Sequence, residues 1–160
     1  MKRNIFIVCT VVVMVLIFCF SMENSSESAY RSGGVTEFVL KVFVRDYHNM
    51  SAEEKKTLLK EVGHIIRKLA HFSIYTVLGF LVSLVVGRRK LLSCGSLATV
   101  GFGFLYACSD EFHQYFVSGR SCQFGDVIID TCGVITGIFI SIAVFRIYGL
   151  FKRKFSGMPS

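Results

Sequence analysis

Four long apolar stretches constrain the fold of this chain more than any other feature, and they lie at about 5–21, 69–87, 91–108 and 127–148. Each is close to the roughly 17–25 mostly apolar residues that a helix needs to cross a bilayer. With 52% hydrophobic residues and a mean hydropathy of +0.57, the 160-residue chain is also too apolar for an ordinary soluble domain. We therefore predict a single domain over 1–160: an all-α, polytopic membrane protein with four transmembrane helices.

The first apolar stretch has an alternative interpretation. Lys2 and Arg3 precede it, and Cys19 and Ser21 form a small-x-small arrangement near its end, as in a cleavable signal peptide. The apolar run is long for that role. A retained helix is therefore the favoured reading.

The charge distribution predicts the orientation. If four helices alternate, nine basic residues and no acid lie on one side: Lys2, Arg3, Arg88, Arg89, Lys90, Arg146, Lys152, Arg153 and Lys154. The other side carries nine basic residues and all eleven acids, so the formal net charge of +7 is the sum of +9 and −2. Short loops rich in Lys and Arg stay cytoplasmic. We predict a multi-pass protein of the cell membrane with both termini in the cytoplasm.

The same distribution argues against two other classes of protein. The basic residues flank membrane segments and form no patch interleaved with aromatics, so nucleic acid is not an expected partner. Five of the six cysteines lie in or at the ends of apolar stretches, and no C-x-x-C or other metal-ligand spacing occurs. We predict packing cysteines, no bound metal and no cofactor, with membrane lipids as partners.

The outer loop, 22–68, divides into three parts. Its serine- and glycine-rich start, "SMENSSESAYRSGGVTE", predicts an extended linker. Apolar residues recur at helical spacing from Thr36 onward and predict a short amphipathic helix on the membrane surface. Ser51 and Glu54 form a capping-box pattern, and we expect the helix that follows to run directly into the second membrane segment.

Polar residues from three predicted helices converge at one depth on the outer side. Burying a lone charge in hydrocarbon costs about 2.5–3.5 kcal/mol on insertion scales, so such groups pair, face the bundle interior or line a wet cavity. The predicted binding residues are Lys68, His71, Tyr75, Asp110, Glu111, Gln114, Arg120, Asp126 and Asp130. Glu111, His71 and Asp110 are the candidates for catalysis, because clustered carboxylates beside a histidine favour shifted proton affinities. His48, His64 and His113 are weaker candidates than His71, and His113 is interpreted as a residue at the rim.

A purely structural interpretation of the cluster stays open. Ion pairs such as Lys68 with Asp110, or Arg120 with Asp126, would lock the outer helix ends together. Ser109 and Asp110 also suit an N-cap, and Asp126 suits a helix start. Such a lock needs only two charges, whereas at least five ionisable side chains converge here.

Three motifs resemble the VanZ-like family of bacterial membrane proteins, whose founding member is associated with resistance to the glycopeptide antibiotic teicoplanin. They are "RKLAHFSIY" at 67–75, "SDEFHQYFVSGR" at 109–120 and "DVIIDTCGVITG" at 126–137, within a resemblance that covers about residues 20–137. The family pattern marks most of the predicted binding residues and adds Gly119. Two positions depart from it: an acid common in the family is Ile74 here, and Asp130 stands where Asn is frequent.

The resemblance implies an envelope protein without specifying a reaction. The favoured hypothesis is a protein whose outer polar site binds the head group of an envelope lipid or lipid-linked precursor, and thereby lowers susceptibility to glycopeptides such as teicoplanin. One alternative is a membrane-embedded enzyme that modifies an envelope lipid, although no nucleophile elbow, HExxH or phosphatase-like motif occurs. The other is a structural or interaction protein. The sequence leaves the oligomeric state open, since Gly133-x-x-x-Gly137 permits packing within or between chains.

Overall fold

The protein is a helical bundle. The computed structural model describes residues 2–87, 93–120 and 122–156, and the side chains of 3–87, 93–120 and 122–152. The described part contains no strand. A short 3-10 helix lies at Tyr47–Asn49, and five α-helices follow one another as α1 (Lys2–Ser21), α2 (Ser25–Phe43), α3 (Ala52–Val86), α4 (Cys94–Gln114) and α5 (Phe124–Ser156). The predicted all-α class is confirmed.

Three described helices are long and apolar enough to cross a membrane: Arg3–Ser21, Ala52–Val86 and Phe124–Lys152. The 21-residue α4 contains the third predicted span but is not among them, so a fourth crossing stays a prediction. The predicted inner-loop cations Arg88, Arg89 and Lys90, the start of the third span at 91–92, and the side chains of 153–154 lie outside the described residues. The orientation of the bundle in the membrane stays a prediction as well.

The predicted extended linker is wrong, because α2 runs through most of it. Asn24 caps this helix by accepting a hydrogen bond from the Glu27 backbone N–H at 2.9 Å, and the Glu27 carboxylate accepts from the Asn24 N–H at 3.2 Å. This capping box offsets the weak helix propensity of the serines and glycines. Tertiary contact adds to it, since Thr36 and Leu40 are buried and α2 packs on α3.

The predicted continuous helix through the second membrane segment is confirmed. Ser51 caps α3 in a reciprocal capping box with Glu54, and the helix then runs unbroken for 35 residues to Val86. Gly87 ends it with φ of 72°, a left-handed conformation that glycine adopts at little cost. The segment after Ser51 and the second predicted membrane segment therefore belong to one continuous helix.

Helices α3 and α5 run parallel and touch backbone to backbone. Lys68 pairs with Asp126 at one level, and the Ser83 hydroxyl donates to Ser141 Oγ at 3.1 Å further along. A Cβ added to Gly137 would lie 2.1 Å from the Thr76 carbonyl oxygen. Together with Gly133 and Gly79, this glycine allows the close approach, so the Gly133-x-x-x-Gly137 motif is used within the chain.

Helices α1 and α4 run in the opposite direction and complete the core. The Tyr106 hydroxyl donates to the Met14 carbonyl at 2.7 Å, and the Ser21 hydroxyl donates to Asp110 Oδ2 at 2.8 Å. Ile17 is 1% exposed within the core. The first helix therefore contributes to the core, and whether it is retained or cleaved stays a prediction.

Replacing Gly137 by alanine is expected to destabilise the bundle. The new methyl group would force α3 and α5 apart, and overpacking of this kind costs about 1–3 kcal/mol or more. The expected result is a lower thermal unfolding temperature in detergent and a lower abundance in membranes. Gly149→Ala, in the same helix but with nothing within 4 Å of its added Cβ, is the matched control. Equal stability of the two variants would contradict the close-packing argument.

Candidate functional site

The antiparallel arrangement brings the predicted polar residues of three helices together. A cavity of about 200 Å³ is lined by seven of the nine predicted binding residues: Lys68, His71, Glu111, Gln114, Arg120, Asp126 and Asp130. Gly119, which the family pattern marks, also lines it. Asp110 and Tyr75 are buried and do not line this cavity.

Asp110 is held by hydrogen bonds from two helices. Its Oδ2 accepts from the Ser21 hydroxyl at 2.8 Å and from the Gln114 amide nitrogen at 3.1 Å, and that amide also donates to Ser21 Oγ at 3.2 Å. All three side chains are buried. The prediction that Ser109 and Asp110 form an N-cap is wrong, because α4 continues through both residues to Gln114.

Glu111 anchors the loop between α4 and α5. Its side chain is buried, and Oε2 accepts a hydrogen bond from the Gln123 backbone N–H at 2.9 Å. The carboxylate therefore satisfies a loop amide just before α5 begins. This bond gives Glu111 a positioning role that does not require catalysis.

The ion pair at the cavity differs from the two pairs that the structural interpretation of the sequence suggested. Lys68 pairs with Asp126, and each side chain is about a quarter exposed (28% and 26%). Asp126 also lies in the first turn of α5, where an acid interacts favourably with the helix dipole. The predicted pairs Lys68 with Asp110 and Arg120 with Asp126 do not occur within 4.0 Å.

Two arginines of the cavity have no acidic partner in the described part of the chain. Arg120 donates to the Phe20 carbonyl at 3.3 Å, but no described carboxylate oxygen lies within 4.0 Å of it. Arg67 forms neither a hydrogen bond nor an ion pair with any described residue. Burial lowers the pKa of the Arg120 guanidinium, Asp110 opposes this shift, and the charge of Arg67 adds to it. Each cation therefore lies in the field of the other.

An apolar cavity of about 330 Å³ adjoins the polar one. Arg67, His71, Arg120 and Ser28 line both cavities. The apolar cavity lies between α1, α2 and α3, and its hydrophobic lining residues are Ile17, Phe20, Val35, Ile66, Ala70 and Ile74. Ile74, which stands where the family pattern often has an acid, thus forms part of the apolar wall.

Three side chains could share a metal ion. His71, Asp110 and Asp130 each offer one ligand atom, and these atoms lie within 4.8 Å of one another. His71 Nδ1 is 4.0 Å from Asp130 Oδ2. Asp130 is 1% exposed, and its Oδ1 has no hydrogen-bond partner.

Sequence reasoning missed several residues of the site. Arg67 precedes His71 by four positions, a spacing that places both on one helix face and was a usable signal. His64, a weaker candidate than His71 in the sequence, also lines the polar cavity. His113 stacks on Phe18 with ring centroids 4.8 Å apart and does not line the cavity, as expected. Ser21 carried no sequence signal for its contact with Asp110.

These features define a helical membrane protein with a polar cavity lined by residues of α2, α3, α4 and α5. A family model described as VanZ/LLP1 matches residues 6–146, and the chain therefore belongs to the VanZ/LLP1 family. The predicted resemblance is confirmed over most of the chain. No curated protein and no solved structure matches it.

Replacing Glu111 by alanine is expected to loosen the loop between α4 and α5. The variant leaves the Gln123 amide without its acceptor, and hydrogen bonds to charged groups contribute about 1.5–3 kcal/mol. Glu111→Gln keeps an acceptor oxygen and serves as the control. Amide hydrogen exchange over 115–123 should be faster in the alanine variant than in the glutamine variant. Equal exchange in both would contradict the anchoring role.

Proposed function

We propose that this protein binds the anionic head group of an envelope lipid or lipid-linked precursor in its polar cavity, with the lipid chain in the adjoining apolar cavity. The observation that carries the proposal is the position of Arg67 and Arg120. Both line the two cavities, and neither has a carboxylate partner among the described residues.

The electrostatics favour a phosphate-bearing ligand. The Arg67 and Arg120 guanidinium groups repel each other, and an anion bound between them would attract both and offset that repulsion. Arginine presents a planar fork that binds phosphate or carboxylate bidentately. Lys68 is one of the predicted binding residues, but its ammonium group is paired with Asp126. We therefore assign the second contact with the anionic head group to Arg67.

The adjoining apolar cavity suits a lipid better than a free anion. Each buried methylene group contributes about 0.8 kcal/mol, so a volume of about 330 Å³ favours part of a hydrocarbon chain. A ligand with a phosphate beside a hydrocarbon chain would match both cavities and their shared arginine wall. This pairing supports an amphipathic ligand.

The alternatives account for fewer of the observations. Two of the three candidates for catalysis, Asp110 and Glu111, hold neighbouring groups in place through hydrogen bonds. An enzyme that uses His71 as its base would not account for Arg67, which is unpaired among the described residues. A structural cluster would pair its cations, and Arg67 has no such pair among the described residues. Capture of a precursor head group would reduce access of glycopeptides to the cell surface, which connects the site to the teicoplanin association of the family's founding member.

The single variants Arg67→Gln and Arg120→Gln should each weaken lipid binding about 10- to 100-fold. Each loses a hydrogen bond from a charged group to the ligand, which contributes about 1.5–3 kcal/mol. Calorimetric titration of the detergent-solubilised protein with dioctanoyl phosphatidylglycerol measures this. Lys41→Gln removes an exposed cation that lines neither cavity and is the control.

Two further titrations define the ligand. Dioctanoyl phosphatidylcholine is expected to bind more weakly than the anionic lipid, because it carries no net negative charge. Inorganic phosphate alone is expected to bind more weakly still, because it leaves the apolar cavity unfilled. Equal binding of all three probes, or unchanged binding in both arginine variants, would overturn the head-group proposal.

Expression of the wild type in a teicoplanin-sensitive bacterial host is expected to raise the inhibitory concentration, and Arg120→Gln is expected to abolish the increase at equal membrane abundance. Immunoblotting of the same cells measures abundance, and Lys41→Gln again serves as the control. A wild type that changes nothing would refute the antibiotic link and leave the lipid titrations to decide head-group binding.

A further inference from the structure

The most buried carboxylate of the site lacks a partner that it needs. Asp130 Oδ1 is fully buried and accepts no hydrogen bond, and His71 Nδ1 lies 4.0 Å from its Oδ2. The Tyr75 hydroxyl is also buried without a hydrogen-bond partner, and the charges of Asp110 and Asp130 act on it. A buried polar group without a partner destabilises the folded state, and a buried charged group does so more strongly.

Three helices bring candidate ligand atoms to this carboxylate. His71 comes from α3, Asp110 from α4 and Asp130 from α5, and their ligand atoms lie within 4.8 Å of one another. Zinc-ligand bonds of about 2.0–2.2 Å place neighbouring ligand atoms roughly 3.3–3.6 Å apart. A closure of about an ångström, within the reach of side-chain rotation, would bring the three atoms to that spacing.

The surroundings of Asp110 resemble the outer shell of a metal site. Ser21 and Gln114 both donate to Oδ2, which holds the carboxylate in one orientation. Outer-shell hydrogen bonds of this kind orient metal-ligating carboxylates. The only lysine among the predicted binding residues, Lys68, is paired with Asp126, so it is engaged away from Asp110 and Asp130.

We propose that His71, Asp110 and Asp130 bind one divalent transition-metal ion of the Zn²⁺ or Mn²⁺ type. One imidazole nitrogen and two carboxylate oxygens suit these ions, whereas Mg²⁺ and Ca²⁺ prefer oxygen ligands alone. The ion's charge balances the two carboxylates. Three protein ligands leave at least one coordination position open, and His71 and Asp130 line the polar cavity. The proposal departs from the expectation, drawn from missing sequence spacings, that no metal is bound.

The proposal does not depend on lipid binding, and a metal titration tests it alone. Protein purified without a polyhistidine tag is stripped with chelator in detergent and titrated calorimetrically with ZnCl₂, MnCl₂ and MgCl₂. We expect one equivalent of Zn²⁺ or Mn²⁺ per chain and much weaker binding of Mg²⁺. Asp130→Asn should bind at least about tenfold more weakly, since even an outer-shell change costs about 10- to 100-fold. Asp46→Asn, an exposed aspartate in the outer loop, should match the wild type.

Thermal unfolding separates metal binding from a purely structural effect. A metal that binds the folded state raises its unfolding temperature, so Zn²⁺ should stabilise the wild type and Asp46→Asn but not Asp130→Asn. If Asp130→Asn does not accumulate in a folded form, His71→Leu replaces it with the same expected result. A wild type that takes up neither Zn²⁺ nor Mn²⁺ overturns the proposal and favours a proton shared between Asp110 and Asp130. Equal binding by the wild type and the ligand variants overturns it as well.

Discussion

The direct contact between α3 and α5 is the constraint on which the rest of the structure depends. Gly133 lies where a Cβ would be 2.5 Å from the Phe72 carbonyl, and Gly137 makes an even closer approach to Thr76. Because the helices are parallel, this contact continues toward the site and places Lys68 beside Asp126 and His71 beside Asp130. The small residues of the bundle thus determine which charged groups meet.

Burial of charge is the second constraint. The site gathers carboxylates and cations in a bundle whose surroundings are largely apolar, so each charged group needs a partner. Asp126 pairs with Lys68, and Asp110 accepts hydrogen bonds from Ser21 and Gln114. Glu111 accepts a hydrogen bond from the Gln123 backbone N–H. Arg67, Arg120 and Asp130 lack an ion pair or hydrogen bond of that strength. The two proposals follow from this division: an anion for the arginines and a cation for Asp130.

Sequence patterns predicted the helices best where periodicity and capping agreed. The Ser51–Glu54 capping box and the apolar face after it predicted the start and continuity of α3, and both are confirmed. The serine-rich segment was read by composition alone, so the Asn24–Glu27 capping box was overlooked and α2 was missed. The extension of α4 to Gln114 was also missed, because polar residues that face a site interrupt the apolar run without ending the helix.

The sequence by itself determined the helical class, the family and most of the residues that line the polar cavity, because hydrophobic length and local motifs are properties of the linear chain. It did not determine the pairing. Lys68 meets Asp126, Ser21 meets Asp110 across 89 positions, and Arg67 enters the site without an acidic partner in the described chain. These outcomes depend on the rotation and spacing of helices that pack through glycine, and only tertiary packing decides them. The same packing places the apolar cavity beside the polar one, and no local sequence pattern predicts that the two cavities adjoin.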